Sequence, residues 1–197
     1  SIWKQGMASG TIFDDALAEV FGDQARPERI VDRARRRQIV RGPLANPKRR
    51  WVRGPALSYG EFGRRNQLDI WRSPDLKPGD RAPVLLQVHG GAWVIGNKDQ
   101  QGLPLLARMA EHGWVCVSIN YRLSPRAKWP DHIVDVKRAL AWVKNHIAEY
   151  GGDPDFVAIT GGSAGGHLAS LAALTANEPE FQPGFEDEDT SVVAAVP

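Results

Sequence analysis

The most regular hydrophobic pattern in the chain lies between residues 133 and 147. Ile133, Val136, Leu140, Val143 and Ile147 are spaced 3, 4, 3 and 4 residues apart, one face of a 3.6-residue repeat. This spacing predicts an amphipathic helix opened by Trp129-Pro130 and stopped at Gly151. Leu103 to His112 reads as a second helix, with Leu105, Leu106 and Met109 turned inward and Gly113 as its stop. Around these helices stand short apolar runs without alternation: Pro83 to Val88, Trp114 to Ile119 and Phe156 to Thr160. Continuous apolar character suits a strand covered on both faces. Leu168, Leu171 and Ala172 face inward on a helix after the third run, and Ser191 to Val196 begins another strand. The alternation of strand and helix predicts a mostly parallel sheet with helices on both faces, an α/β class.

The earlier part of the chain is less periodic. Trp51-Val52, Leu57 to Phe62 and Leu68 to Trp71 are short strand candidates forming an antiparallel edge, followed by a loop from Ser73 to Asp80. Two short amphipathic helices are expected over residues 11–22 and 27–40, before the Gly42-Pro43 and Asn46-Pro47 breaks. Glu178 to Thr190 reads as a polar, acidic loop.

Composition changes this picture little: 42% hydrophobic and 24% charged residues is an ordinary globular balance. No apolar run approaches the ~18 residues of a membrane span. The single cysteine rules out an internal disulfide framework, and Cys116 sits in an apolar run, which favours a core role. Charge is uneven. Between Arg26 and Arg53 there are 11 Lys/Arg against Glu28 and Asp32, a local balance of +9 within a chain of net charge +2. Either this is a solvated helix face paired with acidic surface elsewhere, or residues 26–53 contact an anionic membrane surface. No aromatic interleaving or zinc spacing supports a nucleic-acid partner.

Two strand ends carry candidate chemistry. The apolar run into Thr160 ends in Gly161-Gly162-Ser163-Ala164-Gly165, a G-x-S-x-G pentad followed at once by a helical pattern. A serine on a sharp strand-to-helix turn presents its hydroxyl outward, and only small neighbours let the two backbone arms approach. The run into Val88 ends in His89-Gly90-Gly91-Ala92-Trp93, where two glycines let backbone N–H groups turn into a pocket. Both motifs fit one crevice at the carboxyl edge of an open sheet.

With these residues the chain resembles the hormone-sensitive-lipase-like esterase branch of the α/β-hydrolases. The matching pieces are H-G-G-A-W (His89 to Trp93), N-Y-R-L-S-P (Asn120 to Pro125), W-P-D-H (Trp129 to His132), G-G-D-P (Gly151 to Pro154) and G-G-S-A-G-G-H (Gly161 to His167). Ala92 stands where that family often has a third glycine. The resemblance implies an α/β-hydrolase fold, of which this is the N-terminal portion: a helical, cap-like segment over residues 1–50 and hydrolase domain from 51 to 197. It implies a serine carboxylic-ester hydrolase, esterase- or lipase-like, with no metal or organic cofactor and a small-molecule ester or lipid as substrate. Ser163 would be the nucleophile, with the N–H groups of Gly90, Gly91 and Ala164 as the oxyanion hole. His89 would brace the loop at the pocket's edge. Ala92 would border the pocket, and Trp93 would either wall it or simply pack.

The same resemblance places the triad's acid and base after later strands, in the order Ser…Asp/Glu…His. His167, on the nucleophile helix, matches a framework position. The acids from Glu178 to Asp189 come too early for the triad acid. The expectation is therefore a piece of a longer protein, inactive by itself. The alternative is a non-catalytic binding protein on the same fold, since fold alone does not fix function.

Overall fold

The computed structural model describes residues 48–52 and 54–197, all within one unit of the chain, Asn46–Pro197. The helices expected over residues 11–22 and 27–40, and most of the basic stretch, lie outside the described residues. Helix α1 (Lys48–Trp51) is followed by strands β1 (Leu57–Ser58), β2 (Gln67–Trp71) and β3 (Ala82–Val88). Then come α2 (Leu103–Glu111), β4 (Val115–Ile119), α3 (Asp131–His146), β5 (Gly152–Gly161), α4 (Ala164–Leu174) and β6 (Ala194–Val196). Among the described residues the strands form one sheet in the order β1-β2-β4-β3-β5-β6. β2 runs antiparallel to β1 and β4, whereas β3, β4, β5 and β6 are parallel.

The period of two along each strand sorts the core into two layers. Val84, Leu86 and Val88 of β3, Val115, Val117 and Ile119 of β4, and Val157 and Ile159 of β5 pack with α3 and α4. Leu85, Cys116 and Ala158 point the other way, onto Leu106 and Ala110 of α2 and Trp51 of α1. The stripe read on α3 is buried as expected, with Ile133, Val136, Leu140, Val143 and Ile147 all at 0% exposure.

Several expectations change, among them the start of β5 at Gly152 and of β6 at Ala194. Trp51 closes helix α1 instead of opening a strand, and Val52 makes only a lone bridge to Trp71. Lys48, Arg49 and Arg50 are good helix formers, and nothing there alternates. The strand from Leu57 stops at Ser58 because the chain turns around buried Asn66, whose Oδ1 accepts from the Phe62 N–H at 3.1 Å. Leu105 is 42% exposed: α2 faces the sheet through Leu106 and Ala110, with Leu103, Ala107 and Met109 alongside.

The acidic segment after α4 is tied down from within. Lys137, fully buried on α3, donates to the Thr175 carbonyl, to Gln182 Oε1 at 3.3 Å and to Thr190 Oγ1 at 3.4 Å. Thr190 Oγ1 in turn donates to Gln182 Oε1 at 2.7 Å. Burial pushes the Lys137 ammonium down to about 8 from its ordinary 10.5. Between those values the unfolded chain holds the proton and the fold has released it, so stability rises with pH there. Urea denaturation across this window is expected to show that rise in the wild type and a flatter profile in Lys137→Met. Equal slopes in the two proteins would remove Lys137 as its source.

Candidate active site

Strand register brings the two motifs together. β3 pairs Val88 with Gly161 of β5 on one side and with Ile119 of β4 on the other. His89, Asn120 and Gly162 therefore leave the sheet at one edge. Ser163, between β5 and α4, holds φ 57° and ψ −122°. A non-glycine residue with positive φ is strained by ~1–3 kcal/mol and persists only where its surroundings enforce it. The enforcement is a close crossing of backbones. A Cβ on Gly161 would lie 2.4 Å from the Gly165 carbonyl, and one on Gly165 would lie 2.2 Å from the Val88 carbonyl oxygen. Ser163 is exposed, and its Oγ makes no hydrogen bond among the described residues. The Ala164 N–H, first in helix α4, is likewise without a backbone partner there.

The loop from His89 is turned by three consecutive positive φ values: 124° at Gly91, 51° at Ala92 and 59° at Trp93. Its carbonyls point inward. The Gly90 carbonyl accepts from His89 Nδ1 at 2.7 Å, and that of Gly91 accepts from the N–H groups of Val94 and Ile95 at 3.0 Å each. In a trans peptide the N–H opposes the C=O, so the Gly91 and Ala92 N–H groups point away from those partners. Neither has a hydrogen-bond partner among the described residues. Gly90 behaves differently. Its N–H, expected among the oxyanion donors, is committed to Gln101 Oε1 at 2.7 Å.

His89 has no exposed surface, so it braces the loop from beneath instead of lining a pocket. Its ring stacks on Tyr121 with centroids 4.4 Å apart and planes 17° apart. Because a carbonyl only accepts, Nδ1 carries the hydrogen and Nε2 is left buried without a partner among the described residues. Burial lowers the pKa of this imidazole and so favours its neutral form, partly opposed by its bond to the Gly90 carbonyl. Ala92 and Trp93 are exposed, and Trp93 meets the His167 ring edge-on at 5.4 Å. Trp93 thus bridges the loop and the nucleophile helix.

Further anchors hold the loop from outside it. Tyr121 Oη donates to the His89 carbonyl at 2.9 Å, the Ser124 N–H to the Trp93 carbonyl at 2.8 Å, and Arg65 Nη1 to the Gly96 carbonyl at 3.1 Å. Just beyond, Lys98 forms a buried ion pair with Asp69 of β2 at 2.6 Å. N-Y-R-L-S-P pointed to the first two anchors, whereas Arg65, Lys98 and Gln101 belong to no motif.

All five histidines are described, and none bonds Ser163. His132 Nε2 lies 3.2 Å from Ser124 Oγ, and His146 Nδ1 donates to the Trp142 carbonyl at 2.9 Å. His112 ends helix α2, and His167 faces Trp93. Asp189, among the later acids, pairs with Lys144 at 3.1 Å, away from the elbow. Among the described residues no group of three His, Cys, Asp or Glu could hold a metal ion.

The BD-FAE family profile matches residues 68–196. The chain belongs to this family. It is 71% identical over 141 residues to probable carboxylic ester hydrolase LipM of Mycobacterium tuberculosis, covering 72% of this chain and 33% of LipM. It is 56% identical over 192 residues to esterase LipQ of the same organism, covering 96% of this chain and 44% of LipQ. The chain thus spans less than half the length of these curated relatives. A butyrate-bound esterase of Thermogutta terrifontis, Est2, superimposes with a TM-score of 0.64 at 30% identity, over 72% of this chain and 51% of that one. The fold is that of the α/β-hydrolases, as the motifs implied, and the described residues form part of such a domain.

The crossing in this BD-FAE chain makes a sharp contrast between neighbouring glycines. Gly165→Ala is expected to destabilise by ~1–3 kcal/mol through overpacking, with the elbow distorted. Gly162→Ala, where a Cβ meets nothing within 4 Å and φ is not left-handed, should be tolerated. Urea titration of both variants checks this; equal midpoints would contradict the crossing.

Proposed function

We propose that the intact protein is a carboxylic-ester hydrolase working through an acyl-enzyme on Ser163. The carrying observation is the convergence at one sheet edge of an exposed, strained serine and three N–H groups that have no partner among the described residues: Gly91, Ala92 and Ala164. The structural relation to named esterases supports it. Ser163 Oγ attacks the ester carbonyl while an imidazole takes its proton; the carbonyl oxygen becomes an oxyanion held by these N–H groups. The C–O bond then breaks, the proton passes to the leaving alcohol, and water repeats the sequence to free the acid. The dipole of α4 adds positive potential where the oxyanion forms. Nothing in these steps calls for a metal or organic cofactor.

In this reading the imidazole is supplied from outside these 197 residues, since none of the five histidines bonds Ser163. Ala92, in place of a third glycine, leaves its N–H usable, and the named esterase relatives support small-molecule esters as the substrate class, with lipid esters the longer variant. A non-catalytic binding role on the same scaffold is the rival reading, favoured by the lack of a histidine partner for Ser163.

A fluorophosphonate probe applied to the protein completed to the length of its relatives should label Ser163, and Ser163→Ala should abolish both labelling and hydrolysis of an aryl ester. Labelling that survives Ser163→Ala would sink the nucleophile assignment. Residues 1–197 alone should show no esterase turnover, since losing triad members leaves only ~10³–10⁴-fold catalysis over water. Turnover near that of the completed protein would mean that one of these five histidines acts as base.

A further inference from the structure

We infer that Gln101 is a positioning residue for the oxyanion loop: its side-chain carbonyl sets which backbone N–H groups meet the reacting ester. This rests on the acyl-enzyme reading above. The His89–Gly90 peptide is clamped at both ends, its carbonyl accepting from Tyr121 Oη at 2.9 Å and its N–H donating to Gln101 Oε1 at 2.7 Å. A peptide held at both ends cannot rotate about the chain axis. The next peptide is then fixed by His89 Nδ1 on the Gly90 carbonyl, which turns the Gly91 N–H outward. Gln101 is the clamp on the N–H side, so the orientation of everything after it depends on this bond.

Crowding reinforces the clamp. A Cβ built on Gly90 would sit 3.0 Å from Gln101 Oε1, 2.6 Å from the Gly162 carbonyl oxygen and 3.4 Å from Ser163 Cβ. Gln101 therefore meets the loop at the point where it abuts the nucleophile elbow. Its own position is fixed by Gly102, which caps helix α2 at φ 74° and has no room for a Cβ beside Gln87. The bond also removes a competitor. With its partner gone, the Gly90 N–H becomes a free donor near Ser163, and the strained turn at Ala92 and Trp93 loses one of its restraints. Gln101 is exposed, so replacing it opens no cavity in the core.

The test uses the completed protein with Gln101→Met, which keeps the length of the side chain and removes the acceptor. Leu105→Ala, an exposed change on the neighbouring helix, is the control. Gln101→Met should lower kcat and the rate of fluorophosphonate inactivation together, by about 10- to 100-fold, less than or equal to the loss of a whole oxyanion donor. KM should stay within about twofold, because the ground-state ester does not use these donors fully. The pH profile of kcat/KM should keep its shape, since the base is untouched, and the thermal midpoint should match that of Leu105→Ala. A kcat within about twofold of wild type, or a loss confined to KM or matched by a loss of folded protein, overturns the inference. Wild-type turnover with an unaffected Gln101→Met removes this inference alone, whereas a wild type that neither turns over ester nor takes the label removes the acyl-enzyme reading and this one with it.

Discussion

Backbone meets backbone at the carboxyl edge of this sheet with no space for a methyl group between. Gly161 and Gly165 are the outer glycines of the pentad, and each would drive a Cβ into the carbonyl of the other arm or of β3. The rest of the site follows from that contact. Because β5 and α4 cross so tightly, Ser163 is forced into a left-handed conformation and its hydroxyl projects outward. Because Gly165 rests on the Val88 and His89 carbonyls, the loop leaving β3 is locked against the elbow. The parallel register then needs no further adjustment to bring both motifs side by side.

The loop itself shows how N–H groups can be aimed without any side chain holding them directly. Its inward carbonyls are held by a neutral histidine and by a tight turn, and the planarity of each peptide converts that hold into an outward N–H. The neutrality of His89 matters here. A protonated ring would place positive charge in a buried, apolar layer beside Tyr121, and burial opposes that. Left-handed turns at Ala92 and Trp93 are costly, and the ring of bonds from Tyr121, Ser124 and Arg65 compensates.

Much of this was legible from residue order, for identifiable reasons. The stripe from Ile133 to Ile147 and the apolar runs of β3, β4 and β5 report burial on fixed periods, so they located their elements within a residue or two; β5 alone began earlier, at Gly152. The pentad and H-G-G-A-W are legible because glycine is demanded by steric contact. What stayed hidden depends on contacts between distant positions. Nothing local says that Gln101 takes the Gly90 N–H, so by its sequence alone Gly90 counts as a donor like its neighbour. Likewise, Lys137 lies on an apolar helix face, and only the return of Gln182 and Thr190 to it makes its burial tolerable. Leu105 turns outward against expectation because three adjacent apolar residues in α2 share one turn, and periodicity cannot choose among neighbours.

Cys116 offers a practical opening. It is the chain's single cysteine, fully buried in β4, and burial pushes its thiol up to about 12. A thiol so sealed is slow to ionise and out of reach of alkylating reagents. A cysteine introduced on the exposed side of the site, at Ile95 for example, would then be the one accessible thiol among the described residues. Spin labels or fluorophores could be attached there without first removing the native thiol from the core. The motion of the loop relative to helix α4 would become measurable by spectroscopy, on a background that needs no engineering of the sheet.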